Sequence, residues 1–195
     1  MPRKPRRMTE AGVYHVVTRG NNRQPLFRKR EDFLFYTSLL IQLKGDLPFD
    51  IYHYCLMTNH THLLMRFQSQ EGLQKVMQRT NLRYAKYYRK QYKYYGHVFQ
   101  DRFKSFAIET DAYLLECGRY IERNPLKPGM VRHLLAYEWS SYRYYAKGNA
   151  NALISRNPLF DALADTEEER RRVYEAYVHQ ERPYEDLIAA GLMRG

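Results

Sequence analysis

His60 and His62 are separated by one residue, just after the turn signal Thr58-Asn59, which follows the apolar, aromatic run Ile51 to Met57. They fall at the start of the second strand of a hairpin. Alternation puts His60, His62 and Leu64 on one face, with Thr61, Leu63 and Met65 on the other. Same-face neighbours lie about 7 Å apart at Cα, so the two imidazoles can hold one divalent ion and leave positions open. In a chain with seven histidines such a pair arises by chance often enough that it needs a third ligand and a nucleophile beside it. Tyr120 and Asn124 are the candidates, an i, i+4 pair on the flank of a later helix. Two imidazoles and an amide oxygen suit Mg²⁺ or Mn²⁺, with imidazole favouring Mn²⁺. Such an ion is a Lewis acid toward a phosphate oxygen, and Tyr120, one turn before Asn124, would lie beside that phosphate as nucleophile. The pKa of a phenol, about 10, is well below that of an aliphatic alcohol. A tyrosyl phosphate ester is therefore a good leaving group, and a cut strand can be resealed without a nucleotide cofactor.

These side chains need a scaffold, and the hydrophobic pattern supplies one. Val13 to Thr18 reads as a first strand, followed by the loop Arg19-Gly20-Asn21-Asn22-Arg23. Its glycine and paired arginines suit a phosphate or base edge, or equally an ordinary solvated turn. Glu31 to Lys44 has a helical period and stops at Gly45 to Pro48. The hairpin strands Phe49 to Met57 and Thr61 to Phe67 follow. A long helix spans about 70–93, with Leu73, Val76, Met77, Thr80, Tyr84, Tyr87 and Tyr88 as its buried face. Lys75, Arg79, Arg83, Lys86, Lys90 and Lys93 step along the opposite face without an acid among them, which points to a nucleic-acid backbone. Arg102 to Ile108 reads as the fourth strand, its Arg102 and Lys104 at an edge that would face the same partner. The order strand, helix, strand, strand, helix, strand predicts an α+β, ferredoxin-like split βαβ fold with an antiparallel sheet packed with helices.

A third helix starts at the N-caps Thr110 or Asp111 and runs to Asn124, before Pro125. Leu114, Cys117, Gly118 and Ile121 form its core stripe. Trp139-Ser140-Ser141-Tyr142 closes a core domain of residues 1–145. Residues 146–195 read as a C-terminal helical extension that includes a helix capped by Asp165-Thr166 and opening on three glutamates.

The net charge of +11 and the 19 tyrosines imply a polyanionic partner and flat faces on which unpaired bases could stack. Residues 1–10 read as a mobile basic arm suited to phosphate. No apolar run approaches the roughly 20 residues of a spanning helix, and no hydrophobic segment follows the basic N-terminus, so no membrane or secretory role is expected. Cys55 and Cys117 have no paired spacing and are expected as free thiols in a reducing, cytoplasmic compartment.

Four segments together resemble the REP-associated tyrosine transposases, relatives of the HUH single-strand transposases that use one catalytic tyrosine. They are Tyr14 to Gly20, Met57 to Leu64, Arg119 to Pro125 and Trp139 to Tyr142, within a likeness spanning about residues 8–145. The resemblance implies a ferredoxin-like fold and a metal held by the two histidines. It implies recognition of short palindromic hairpins in single-stranded DNA, and cleavage leaving a 5′-phosphotyrosine and a free 3′-hydroxyl. On that match His60 and His62 are the metal pair, Tyr120 is the nucleophile and Asn124 is the further ligand, standing where the broader family often has glutamine. Thr61 replaces the bulky hydrophobe usual between the histidines. Arg19, Arg23, Lys75, Arg79, Arg83, Lys86, Lys90, Arg102 and Lys104 are the expected DNA contacts, and a monomer is expected over a dimer. The alternative is a DNA or RNA hairpin-binding protein that keeps the fold without turnover. A zinc-dependent hydrolase is disfavoured because no third strong ligand sits at a familiar spacing.

Overall fold

The computed structural model describes residues 12–127 and 129–180; the basic arm expected at 1–10 lies outside them. Four strands, β1 (Val13–Arg19), β2 (Phe49–Met57), β3 (His60–Phe67) and β4 (Lys104–Ile108), form one antiparallel sheet in the order β2-β3-β1-β4. That is the split βαβ arrangement. Alternation along β1 and β3 sends Tyr14, Val16, Leu63, Met65 and Phe67 to one face, into the larger core. Val13 and Leu64 go to the other face, into a smaller core. The helices α1 (Arg30–Asp46) and α2 (Gln70–Tyr92) cover the first face; α3 (Asp111–Arg123) covers the second, against β2 and β3.

Helix boundaries follow local chemistry. Ser69 and Thr110 cap α2 and α3 by accepting from Gly72 N and Tyr113 N. The α1 helix runs through Gly45 and ends at Asp46; the extended backbone of Leu47 suits the residue before Pro48. The fourth strand is shorter than the sequence suggests. Pairing with β1 begins at Lys104, opposite Val17, and Arg102 sits exposed in the preceding bend.

The tyrosines do different work from the stacking their number suggested. Tyr14, Tyr36, Tyr84, Tyr88, Tyr142, Tyr145 and Tyr174 are buried. The hydroxyls of Tyr84 and Tyr88 donate to the carbonyls of Leu26 and Pro25, and those of Tyr87 and Tyr92 donate to the buried carboxylate of Asp32. A phenol fills apolar volume and delivers a donor to a buried acceptor, so most of these rings brace the fold. Tyr95, 92% exposed, is the clearest exception among the described residues.

Residues 146–180 pack onto the same body. Trp139 to Ser141 run beside β2, with Leu56 N donating to Trp139 O and Ser141 N to Tyr54 O. Then follow α4 (Tyr142–Lys147), the single turn α5 (Pro158–Asp161) and α6 (Glu167–His179), the last capped by Thr166. Leu153, Phe160, Tyr174 and Val178 join the larger core. Under α3, the Glu122 carboxylate is fully buried. It accepts from Ser141 Oγ and Tyr174 OH, and His53 Nδ1 lies 2.9 Å away. Gly118 gives the ring of His53 its room, because a Cβ there would lie 2.9 Å from it. Gly118→Ala is expected to overpack this contact and lower the unfolding free energy by about 1–3 kcal/mol; a urea titration with an unmoved midpoint would refute the close fit.

Candidate active site

Register decides which side chains meet. Between β1 and β3, Val17 faces His62, Arg19 faces His60 and His15 faces Leu64; between β1 and β4, Val17 faces Lys104. Partners directly opposite one another in an antiparallel pair share a face. His15, Arg19, His60, His62 and Lys104 therefore lie on the face that α3 covers, and Thr61 lies on the other, buried. Tyr120 reaches down from α3 to this row. Its ring centroid is 5.8 Å from that of His62 and 6.1 Å from that of His15, edge-on to both. The His60 and His62 rings are 4.8 Å apart and nearly perpendicular.

The hydrogen bonds of the two candidate ligands are informative. His60 Nδ1 lies 2.6 Å from the side-chain oxygen of Asn59, whose amide nitrogen is fixed by donating to Arg23 O. The oxygen can only accept, so His60 carries its proton on Nδ1 and leaves Nε2 bare. His62 Nδ1 is engaged 2.9 Å from His15 Nε2, which leaves His62 Nε2 as its outward nitrogen. Asn124 closes the C-terminal end of α3, its amide nitrogen donating to Tyr120 O (2.8 Å) and Ile121 O (3.3 Å). Both bonds are made by the nitrogen, so the amide oxygen is the atom that could ligate an ion. Two Nε2 atoms and an amide oxygen fit a hard-to-borderline divalent ion that keeps open positions. Among the described residues no group of three or more His, Cys, Asp and Glu side chains is placed to enclose a metal.

Burial sets the charge states. It pushes His15 down to about 3 and, with Arg19 assisting, His60 down to about 4. His62 is also held well below its ordinary value, by burial first and then by His15, His60, Arg19 and Lys127. All three imidazoles are neutral at pH 7, the form that binds metals. Burial raises the phenol of Tyr120, Cys117 adds to the rise, and Arg19 opposes it. The Lys127 ammonium sits 4.8 Å from the Tyr120 ring centroid.

The basic residues expected to meet DNA fall into two groups. Arg19 and Lys104 share the face with the histidines, and Arg23 is exposed in the adjoining loop with its carbonyl tied to Asn59. Arg102 lies in the bend before β4. Lys75, Arg79, Arg83, Lys86 and Lys90 are exposed on α2, across the sheet from Tyr120, and the structure does not bring them to the site. The stripe is also less one-signed than the sequence suggested, since Glu71 pairs with Lys75 at 2.7 Å.

Two neighbours of the site escaped the sequence reading. His15 was visible as part of a motif, but its contact with His62 depends on register, which a single strand does not reveal. Lys127 follows the helix that carries Tyr120, and only the turn at Asn124 to Lys127 folds it back over the ring.

A family model described as IS200-like transposase matches residues 9–124. The chain is also similar to a solved structure titled as a REP-associated tyrosine transposase bound to a REP hairpin. The TM-score is 0.63 at 19% identity, covering 80% of this chain and 93% of that one. At that identity the likeness is one of fold. No curated protein matches the chain.

The buried neutral histidines make stability depend on pH. Their folded values, about 3 for His15 and about 4 for His60, lie below the ordinary 6.5. Below pH 6.5 the unfolded chain takes up protons that the folded chain refuses, so folding weakens as pH falls toward 4. Urea titrations in chelator at pH 7.5 and 5.0 should give a lower midpoint at pH 5.0; equal midpoints would count against neutral burial of these rings.

Proposed function

Because the chain belongs to the IS200-like transposase family, we propose that it is a metal-dependent endonuclease and strand transferase acting on hairpins in single-stranded DNA. In this reading it works through a covalent 5′-phosphotyrosine at Tyr120. The solved relative by fold was captured with a REP hairpin, which supports the substrate class. The observation that carries the reading is the approach of Tyr120 to His62, ring to ring at 5.8 Å, from a helix that the sheet does not contain.

Each residue has a task in this reaction. His60 and His62 offer Nε2, and Asn124 offers its amide oxygen, to a Mg²⁺ or Mn²⁺ ion. When bound, that ion supplies charge stabilisation at the scissile phosphate. Tyr120 loses its proton, and its oxygen attacks phosphorus. The bond from phosphorus to the 3′-oxygen breaks, and that oxygen takes up a proton as a free 3′-hydroxyl. Arg19 favours the phenolate, and Arg19 and Lys127 favour the negative charge at phosphorus. Attack by a 3′-hydroxyl on the tyrosyl ester runs the same steps in reverse and rejoins DNA. The exposed cations of α2, on the opposite face, suit the backbone of a hairpin that extends past the sheet edge.

A hairpin binder without turnover is favoured by one observation, the burial of Tyr120 at 4% exposure. Adduct formation separates the two. With labelled single-stranded hairpin DNA and Mn²⁺, denaturing electrophoresis should show a protein–DNA adduct that Tyr120→Phe abolishes while hairpin affinity stays within a few-fold. An adduct persisting in Tyr120→Phe removes Tyr120 from the role, and no adduct with any hairpin favours the binder. His60→Ala and His62→Ala should each lose cleavage, with the adduct equally lost in chelator. Arg19 lowers the Tyr120 pKa, so Arg19→Gln should move the rising limb of the cleavage pH profile to higher pH; an unmoved limb would show that Arg19 does not act on the phenol.

A further inference from the structure

We infer that His15 is the positioning residue for His62, holding that ring through Nδ1 and coupling divalent-cation binding to a change of tautomer inside the sheet. This rests on the reading of His60 and His62 as the cation's ligands, and it assigns a role to a buried histidine that this reading leaves without one.

The inference comes from counting protons. His15 is fully buried, and its Nε2 lies 2.9 Å from His62 Nδ1, with the rings stacked at 5.0 Å between centroids. Among the described residues His15 Nδ1 is buried without a hydrogen-bond partner. Each neutral imidazole carries one N–H, so the short contact has two possible forms. When His15 donates, its proton is on Nε2, its Nδ1 is a bare lone pair, and the His62 proton is on Nε2. His62 then has no lone pair to offer a cation. When His62 donates, its proton is on Nδ1 and its Nε2 is bare and able to ligate. The proton of His15 must then sit on Nδ1, a buried N–H with no acceptor.

The first form suits the cation-free protein, because a buried ring nitrogen without a partner is tolerated better as a bare acceptor than as an orphaned donor. The second form is the one a cation requires. Passing from the first to the second moves one proton along the hydrogen bond, from His15 Nε2 to His62 Nδ1. The His62 Nε2 proton is released and His15 Nδ1 takes one up, so no net charge is gained. His60 needs no such change, since Asn59 already holds its proton on Nδ1. The two ligands are therefore unequal: His60 is ready for a cation, and His62 becomes ready only as His15 rearranges. Ring partners of this kind commonly orient metal-bound histidines. Here the partner is a second imidazole, which can both accept and donate.

Nitrogen-15 correlation spectra of the histidine rings test this in the unaltered protein, first in chelator and then with Zn²⁺ as a diamagnetic probe. The expected result is a His15 that carries its proton on Nε2 without metal and on Nδ1 with it, while His60 stays in its Nδ1–H form throughout. Metal shifts at His60 and His62 with an unchanged His15 tautomer would overturn the inference and leave the ligand reading standing. No metal shift at either histidine would overturn both. As a second measurement, His15→Leu should weaken Zn²⁺ binding by about tenfold or more and leave hairpin DNA affinity unchanged; equal Zn²⁺ affinity would overturn the positioning role.

Discussion

The pairing register of β1 with β3 is the constraint on which the site depends. Side chains alternate with a period of two, so a slip of one residue would send His15 and His62 to opposite faces. The register is held on its other face by Tyr14, Val16, Leu63 and Met65, all buried in the larger core beneath α1 and α2. Chemistry on one face is thus fixed by apolar burial on the other. That separation lets the α3 side carry three neutral imidazoles and a phenol without surrendering the packing that sets their positions.

The helix bearing Tyr120 needs a comparable anchor, and its sequence neighbours provide it. Tyr120 faces the sheet, while Glu122 turns into a buried network with His53, Ser141 and Tyr174. A buried carboxylate is tolerable only when its partners satisfy it, and breaking such a set is costly. Arg119 and Arg123 add bonds from the same helix to the carbonyls of Tyr177 and Val178 on α6. Through these contacts β2, α3, α4 and α6 form one polar and aromatic seam. Residues of α6, which lie outside the motifs shared with the transposases, thereby brace the helix that carries Tyr120.

Electrostatics completes the arrangement by putting neutrality inside and charge at the rim. Burial keeps His15, His60 and His62 unprotonated; Arg19 reinforces that state at His60 and His62, and Lys127 at His62. Arg19 also opposes the rise that burial imposes on the Tyr120 phenol. The chain's net charge of +11 favours long-range attraction of polyanions. The exposed stripe on α2 adds to that long-range field, and the thickness of the sheet separates it from Tyr120.

Much of this was legible in the chain because it depends on local period and composition. The βαββαβ order, the hairpin at Thr58-Asn59, the core stripe of α3 and the His60–His62 pair are all short-range patterns, and a strand or helix shows its faces in sequence. Four short motifs in the right order also carried the family. What required the tertiary structure was every contact made across elements. That His15 touches His62 depends on β1 lying beside β3 in one register. That Lys127 covers Tyr120 depends on a turn, and that most tyrosines brace the fold depends on which carbonyls came within their reach. The division has a physical cause: periodicity states which way a side chain points, and only the packing of one element on another decides what it meets.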